Sequence, residues 1–408
     1  MTFKDITLVG TSKIGNCYEV SGGKLALTNL KFNFKNNDRK ISNFVSFNDI
    51  GGYLHVMNTQ IKDISVGGIQ PLFGDDRATE IKLTKCIFNN ISNYDEYFNF
   101  NIVGQSDISV MDCSFIDVEN ALIGGIVNGL NQNGKLFVIG SSFYKCINAR
   151  KEIRLNKDRE SVISGDAIFQ GSQWDECSSY NYGGALSFTS SGELTIRDCH
   201  FQQCLSVGGK GGSVYIVGQG LHQIRDCTFI GSISSYASIA EGGSLYIEGG
   251  INQLRSLIIE SSKTEVSPSS DSSTSISRGG AIYATDWKND SQIREIVIKD
   301  CESEQGAAIN IESASSRIEI RDSTFQNNIA LSQGGGAIFS QLDTLIQVKF
   351  TSFDHNIAYG NNKGSDLQFG GLGVSQDNVN WEQIRKDVIT GCQSTSNEPR
   401  VQCHGGQY

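Results

Sequence analysis

Residues 183–201 read GGALSFTSSGELTIRDCHF, and residues 211–229 read GGSVYIVGQGLHQIRDCTF. Each stretch opens on a double glycine, continues through apolar residues at every second position, and closes on a phenylalanine two residues after a cysteine. Period-2 alternation of β-branched and aromatic residues is the pattern of a half-buried strand, not of a helix. Gly and β-branched residues are also poor helix formers.

The closing position recurs along the chain. It is occupied by Phe3, Phe32, Ile61, Phe88, Phe115, Phe143, Trp174, Phe201, Phe229, Ile259, Ile298, Phe325, Phe353 and Trp381. The intervals run from 27 to 31 residues, with one of 39. The double glycine recurs with it, at Gly211-Gly212, Gly242-Gly243, Gly279-Gly280 and Gly335-Gly336, and more weakly at Gly306-Ala307. A register held this long signals a stack of like units. A leucine-rich solenoid has a similar period, but needs a second, helical half that these residues do not supply. The expected fold is therefore all-β: a right-handed, single-stranded parallel β-helix of about 13 coils, each of about 28 residues with three short strands. It spans 1–385, with a Ser-rich loop insertion at 263–278 in the 39-residue coil. A polar tail is expected over 386–408.

Composition narrows the rest. The chain has 408 residues with 45 Gly but only 3 Pro, which excludes collagen. Scarce Pro suits a ladder in which every N–H donates. A net charge of −10 argues against a dedicated nucleic-acid binder. No apolar run is long enough for a membrane-spanning helix, and the first residues lack the pattern of a signal peptide. Because the repeat opens in mid-coil, we expect a truncated product or a fragment whose signal peptide lies upstream.

In a stacked coil, equivalent residues form columns. Two residues before the large apolar position lie Cys86, Cys113, Ser141, Ser172, Cys199, Cys227, Leu257, Ile296, Ser323 and Thr351. Three residues after it lie Cys146, Cys177, Cys204, Ser232, Ser262, Cys301, Asn328 and Asn356. The cysteines read either as small residues in tight corners or as disulfides between adjacent coils. Cys392 and Cys403 stand outside the columns and could pair with each other. Neither column has metal-ligand spacing, and no metal or cofactor is expected. Asn328 and Asn356 should stack amide on amide along the axis.

An outward basic column stands out: Arg197, Arg225, Arg255, Arg294, Arg321 and Lys349. Asp198, Asp226, Glu295 and Asp322 follow in the next column and would offset it. The bland reading is a solvated, self-neutralised ladder. The sharper one is a ligand-binding groove for anionic glycans or an acidic surface protein. No catalytic residue is assigned. Asp75-Asp76 is the one Asp-Asp pair and reads as a turn, while His55, His200, His222, His355 and His404 fall in different coils without repeated acid partners. His200 and His222 are expected to point outward.

The two markers Gly279-Gly280-Ala281-Ile282 and Gly335-Gly336-Ala337-Ile338, with Phe325–Asn328 and Phe353–Asn356 as F-x-x-N, resemble those of chlamydial polymorphic outer-membrane proteins, their autotransporter-like relatives and repeat proteins of protists. The match is sharpest from about residue 180 to 360, and most coils replace the Asn of F-x-x-N. This resemblance implies a pectin lyase-like β-helix on an extracellular or cell-surface protein, with an adhesin-like or display role. The same fold hosts pectin-degrading enzymes, so a carbohydrate-active enzyme is the alternative, and a glycan-binding module using the basic column is another.

Overall fold

The computed structural model describes residues 165–180, 182–266, 275–313, 317–341 and 345–359 continuously, with shorter strand-bearing stretches over 2–148 and 366–407. Every regular element among them is a strand, and nearly all pairings are parallel. The chain is a parallel β-solenoid. It divides into two compact units, Met1–Tyr180 with Ala185–His200, and Asn181–Gly184 with Phe201–Tyr408.

In the first unit two parallel ladders run side by side. One carries Lys24–Thr28, Gly52–Met57, Ala78–Thr84, Asp107–Met111, Lys135–Ile139, Asp166–Gln170 and Leu194–Arg197. The other sets the large apolar residues in register, Phe32 on Ile61, Phe88, Phe115, Phe143 and Trp174 in turn. The rings stack at 4.8 Å for Phe88–Phe115, 4.8 Å for Phe115–Phe143 and 5.2 Å for Phe143–Trp174, the separation of neighbouring strands. Asn16–Val20, Asn43–Phe47, Phe73–Gly74 and Ile102–Val103 form a separate parallel sheet. The first level departs from the expected register. Leu8 lies beside Phe32, and Phe3 pairs with Leu27 in the neighbouring ladder.

In the second unit Phe229, Ile259, Ile298, Phe325 and Phe353 are likewise in register with one another. Phe201 stacks on Phe229 at 4.7 Å with rings 1° from parallel. Trp381 lies outside the described residues, and Phe353 instead pairs with Ser394. Ile389–Thr390 and Val401–Cys403, from the stretch expected to be a tail, also add parallel strands to their ladders. A strand missing from the expectation follows each phenylalanine segment: Leu205–Ser206, Ile233–Ala237, Lys263–Val266, Glu302–Gln305, Ile329–Gln333 and Ile357–Ala358. These strands are short and often polar, so alternation does not reveal them. The Ser-rich insertion sits between Lys263–Val266 and Ile276–Arg278, and the single strand Glu302–Gln305 of the next coil pairs with both. Residues 267–274 of the insertion lie outside the described set.

The solenoid has about eight turns, against the thirteen or so expected. Among the described residues the strand that follows the double glycine is present only from Leu186–Thr189 onward.

Two corners flank each phenylalanine strand, and both use left-handed backbone. Before it stand Asp198, Asp226, Ser256, Glu295 and Asp322, with φ between 52° and 55°. After it stand Gln203, Ser261, Asp300, Asn327 and His355, with φ between 49° and 57°. Asp and Asn tolerate this region better than most L-residues. The acidic column next to the arginines is therefore a row of corner residues.

The cysteine columns follow each corner. Cys199, Cys227, Ser323 and Thr351 each donate to the carbonyl two residues back, at 3.2, 3.0, 2.8 and 2.9 Å. Cys204, Ser262 and Cys301 do the same in the second column, at 3.5, 3.4 and 3.3 Å. The shared requirement is a small side chain with one donor, which Cys, Ser and Thr all meet. Among the described residues Cys86, Cys113, Cys146, Cys177, Cys199, Cys204, Cys227 and Cys301 are buried thiols. Burial pushes the Cys301 thiol up to about 12, which holds it protonated as a donor. Of the proposed Cys392–Cys403 pair, Cys392 lies outside the described residues. Replacing Cys227 by Ser is expected to shift stability by no more than about 1 kcal/mol, because the hydroxyl keeps the donor. Denaturant midpoints of the two proteins check this.

Asn328 and Asn356 stack as expected. The Asn328 amide donates to Asn356 Oδ1 at 2.9 Å, and Cys301 N donates to Asn328 Oδ1 at 3.1 Å. His222 corrects an expectation: it is fully buried rather than outward, with Nδ1 2.9 Å from Asn252 Oδ1. Burial pulls its pKa down, opposed by the Asn252 bond. The Leu-His-Gln alternation hides this because His222 belongs to a small polar column, Asn252 and Ser291, that closes the corner after Gly249-Gly250. His200 is half-buried on the outer face.

Candidate functional site

The basic column forms in the second unit. Arg225, Arg255, Arg294, Arg321 and Lys349 are consecutive register partners, so the expected ladder exists over five levels. Arg197 belongs to the first unit, where it lies beside Gln170 and donates to its side-chain oxygen.

Most of this charge is spent locally. Arg255 grips Glu295 through Nε and Nη2, both at 3.0 Å. The bonds from Arg255 and then Ser256 hold the Glu295 carboxyl below its ordinary range. Arg321 Nε reaches Asp322 at 2.7 Å. Glu319 faces three cations at once, 3.7 Å from each of Arg294, Arg321 and Lys349. Glu295 and Asp322 thus act as expected, whereas Glu319 was not anticipated. It stands two residues before Arg321, in an outer column otherwise occupied by Gln223, Gln253, Gln292 and Gln347. The signal was the sequence RIEIR at 317–321. Arg225 is exposed and has no ion pair among the described residues. Beside it, the side-chain amide of Gln223 donates to Gln253 at 3.1 Å.

A second cluster was not expected at all. The residue after the first strand position following each double glycine is aromatic in three successive coils: Tyr215, Tyr246 and Tyr283. Their rings stack at 5.1 and 5.3 Å, and Tyr182 adds a fourth ring 4.8 Å from Tyr215. Immediately before the glycines stands a column of alternating charge, Lys210, Glu241 and Arg278, followed by Gln305. Glu241 lies 3.6 Å from Lys210 and 3.6 Å from Arg278. Arg278 also meets Glu312 at 2.8 Å. The Tyr283 hydroxyl donates to Glu312 at 2.8 Å and the Tyr246 hydroxyl to Glu248 at 2.7 Å. Lys210 sits 4.4 Å over the Tyr246 ring and donates to its hydroxyl oxygen at 3.1 Å. Burial first, then the neighbouring carboxylates, raise both tyrosines far above their usual range. A column one residue wide before each Gly-Gly was the signal, visible only once the glycines are aligned.

Chemically, the cluster joins carboxylates, two cations and phenols in a largely buried site; the basic column is a surface of amides and guanidiniums. No metal-ligating group of three or more His, Cys, Asp or Glu residues occurs among the described residues. Asp75-Asp76 lies outside them. No helix of the described residues is long and apolar enough to cross a membrane. No family model, no curated protein and no solved structure matches the chain.

Proposed function

We propose that the chain is a non-catalytic solenoid that serves as a rigid scaffold for adhesion or display, at a cell surface or outside the cell. The observation that carries this reading is how the columns use their polar groups. Glu295, Glu319, Asn328, Glu241 and the corner thiols each bind the adjacent coil or their own corner. Side chains committed to stacking build a stiff support, and a support of this kind presents whatever its loops and outer faces carry. The GGA-aliphatic and F-x-x-N markers support a kinship with surface-exposed repeat proteins of the chlamydial type, on a pectin lyase-like helix.

A second reading rests on Arg225. Together with Arg255, Gln223 and Gln253 it offers exposed donors to an anionic glycan or an acidic surface protein. Binding to a glycan array and to cultured cells, repeated with rising salt, separates the two. The scaffold reading predicts that reversing Arg225 and Arg255 to Glu leaves cell binding within about twofold, and that added salt changes it little. Loss of binding with the reversed column, and a steep fall with salt, would favour the groove. Release of unsaturated or reducing ends from a polyuronate would overturn both in favour of an enzyme.

A further inference from the structure

The tyrosine-flanked cluster holds three carboxylates, Glu241, Glu248 and Glu312, against two cations, Lys210 and Arg278. It therefore carries one negative charge in excess. The site is poorly hydrated: side-chain exposure is 7% for Glu241, 19% for Glu312, 22% for Arg278 and 29% for Lys210. An uncompensated charge in such a place is costly, and the least disruptive relief is a proton.

The three carboxylates are not held equally. Glu312 receives Arg278 and the Tyr283 hydroxyl, each at 2.8 Å. Glu248 receives the Tyr246 hydroxyl at 2.7 Å. Glu241 is the deepest, and both its cations stand at 3.6 Å, beyond good hydrogen-bonding distance. Arg278 is drawn to Glu312 and Lys210 to Tyr246, so each cation serves Glu241 second. The groups around it can be followed strand by strand. Tyr215 comes from Val214–Val217, Tyr246 and Glu248 from Leu245–Glu248, Tyr283 from Ile282–Thr285, and Glu312 with neutral Asn310 from Ile309–Glu312. From the remaining side come Arg278, neutral Gln305, Glu304, whose carboxylate is occupied by the Ser277 backbone N–H at 3.1 Å, and, on Lys263–Val266, Lys263 and Glu265, which pair with each other.

We propose that Glu241 is a proton-uptake site that tightens the coils from Lys210 to Glu312 on acidification. Protonation balances the cluster at two carboxylates against two cations and leaves the tyrosine stack between neutralised rows. Burial raises the Glu241 pKa, Lys210, Arg278 and the Tyr283 hydroxyl only partly oppose it, and Glu312 adds to the rise, which agrees with the geometry. For a carboxyl whose folded pKa exceeds its unfolded value of 4.5, the stabilisation is full below that value and is lost as pH rises through the folded pKa. The folded chain should therefore be held more firmly at mildly acidic than at alkaline pH, by this group.

Glu241→Gln keeps the shape and fixes the protonated charge. Melting temperatures of the intact chain and the variant, compared from pH 4.5 to 8, test the proposal. The two should coincide at the acidic end, and the variant should melt higher at pH 8. A difference independent of pH, or a wild type more stable at pH 8, would overturn it. Should the variant fail to fold, carboxyl carbon resonances of glutamate-labelled wild type decide. One titration midpoint well above those of the exposed glutamates is expected, and a Glu241 midpoint at or below them overturns the proposal.

Discussion

Substituting alanine for Gly243 should destabilise the protein by ~3 kcal/mol or more, at the upper end of what overpacking costs. A Cβ at this position would lie 1.9 Å from the Gly280 carbonyl oxygen and 2.7 Å from that of Lys263. The first belongs to the neighbouring coil and the second to the strand Lys263–Val266; both are backbone atoms, so neither can swing aside. Gly242 differs, since it is needed for its φ of 67°. The double glycine thus combines two requirements, a left-handed turn followed by backbone contact between coils. Gly231→Ala is the control. Its φ is 62°, but the nearest atom to an added Cβ is the flexible Gln203 side chain at 3.6 Å. That variant should lose only about 1–2 kcal/mol, and Gly231→Asn less, because other coils place Asn or Asp at this corner. Denaturant titration of the three variants should rank Gly243→Ala far below the others. Equal losses would mean that the coils do not approach so closely.

The second large effect is expected from Phe229→Ala, a loss of about 3–5 kcal/mol. Phe229 is fully buried, lies on Phe201 and pairs with Ile259. Its ring separates two coils that cannot collapse onto each other, because their spacing is fixed by ladder hydrogen bonds on every side. The cavity should therefore stay open, which places the loss at the high end for aromatic truncation. Unfolding midpoints measured with unchanged denaturant dependence would give the value directly. A loss below about 1 kcal/mol would show that Phe229 does not fill a fixed layer.

Most of the fold was legible because the solenoid repeats its instructions. Phe88, Phe115 and Phe143 are spaced evenly in sequence and stack at nearly one separation in space. Strands were harder to read where burial does not alternate. Glu302–Gln305 forms a strand from ESEQ, supported by neighbouring coils rather than by its own propensity. His222 looked like an outward residue because it is polar, although it shares a face with buried Ile224 and is accommodated there by the Asn252 amide. The basic column was legible as a row, but its neutralisation was not, since Glu319 reaches Arg294 and Lys349 only across coils. The tyrosine cluster stayed hidden for the same reason. Lys210, Glu241 and Arg278 are far apart in sequence and become neighbours only through stacking.

The fold requires parallel, in-register stacking of successive coils. Amide-to-amide nuclear Overhauser contacts in a perdeuterated sample test it most directly. The prediction is a chain of cross-peaks linking the strand residues around Ile259, Ile298, Phe325 and Phe353 in that order. Contacts that instead join each of these segments to its sequence neighbours as antiparallel hairpins, or that show helical spacing across the double glycines, would contradict it.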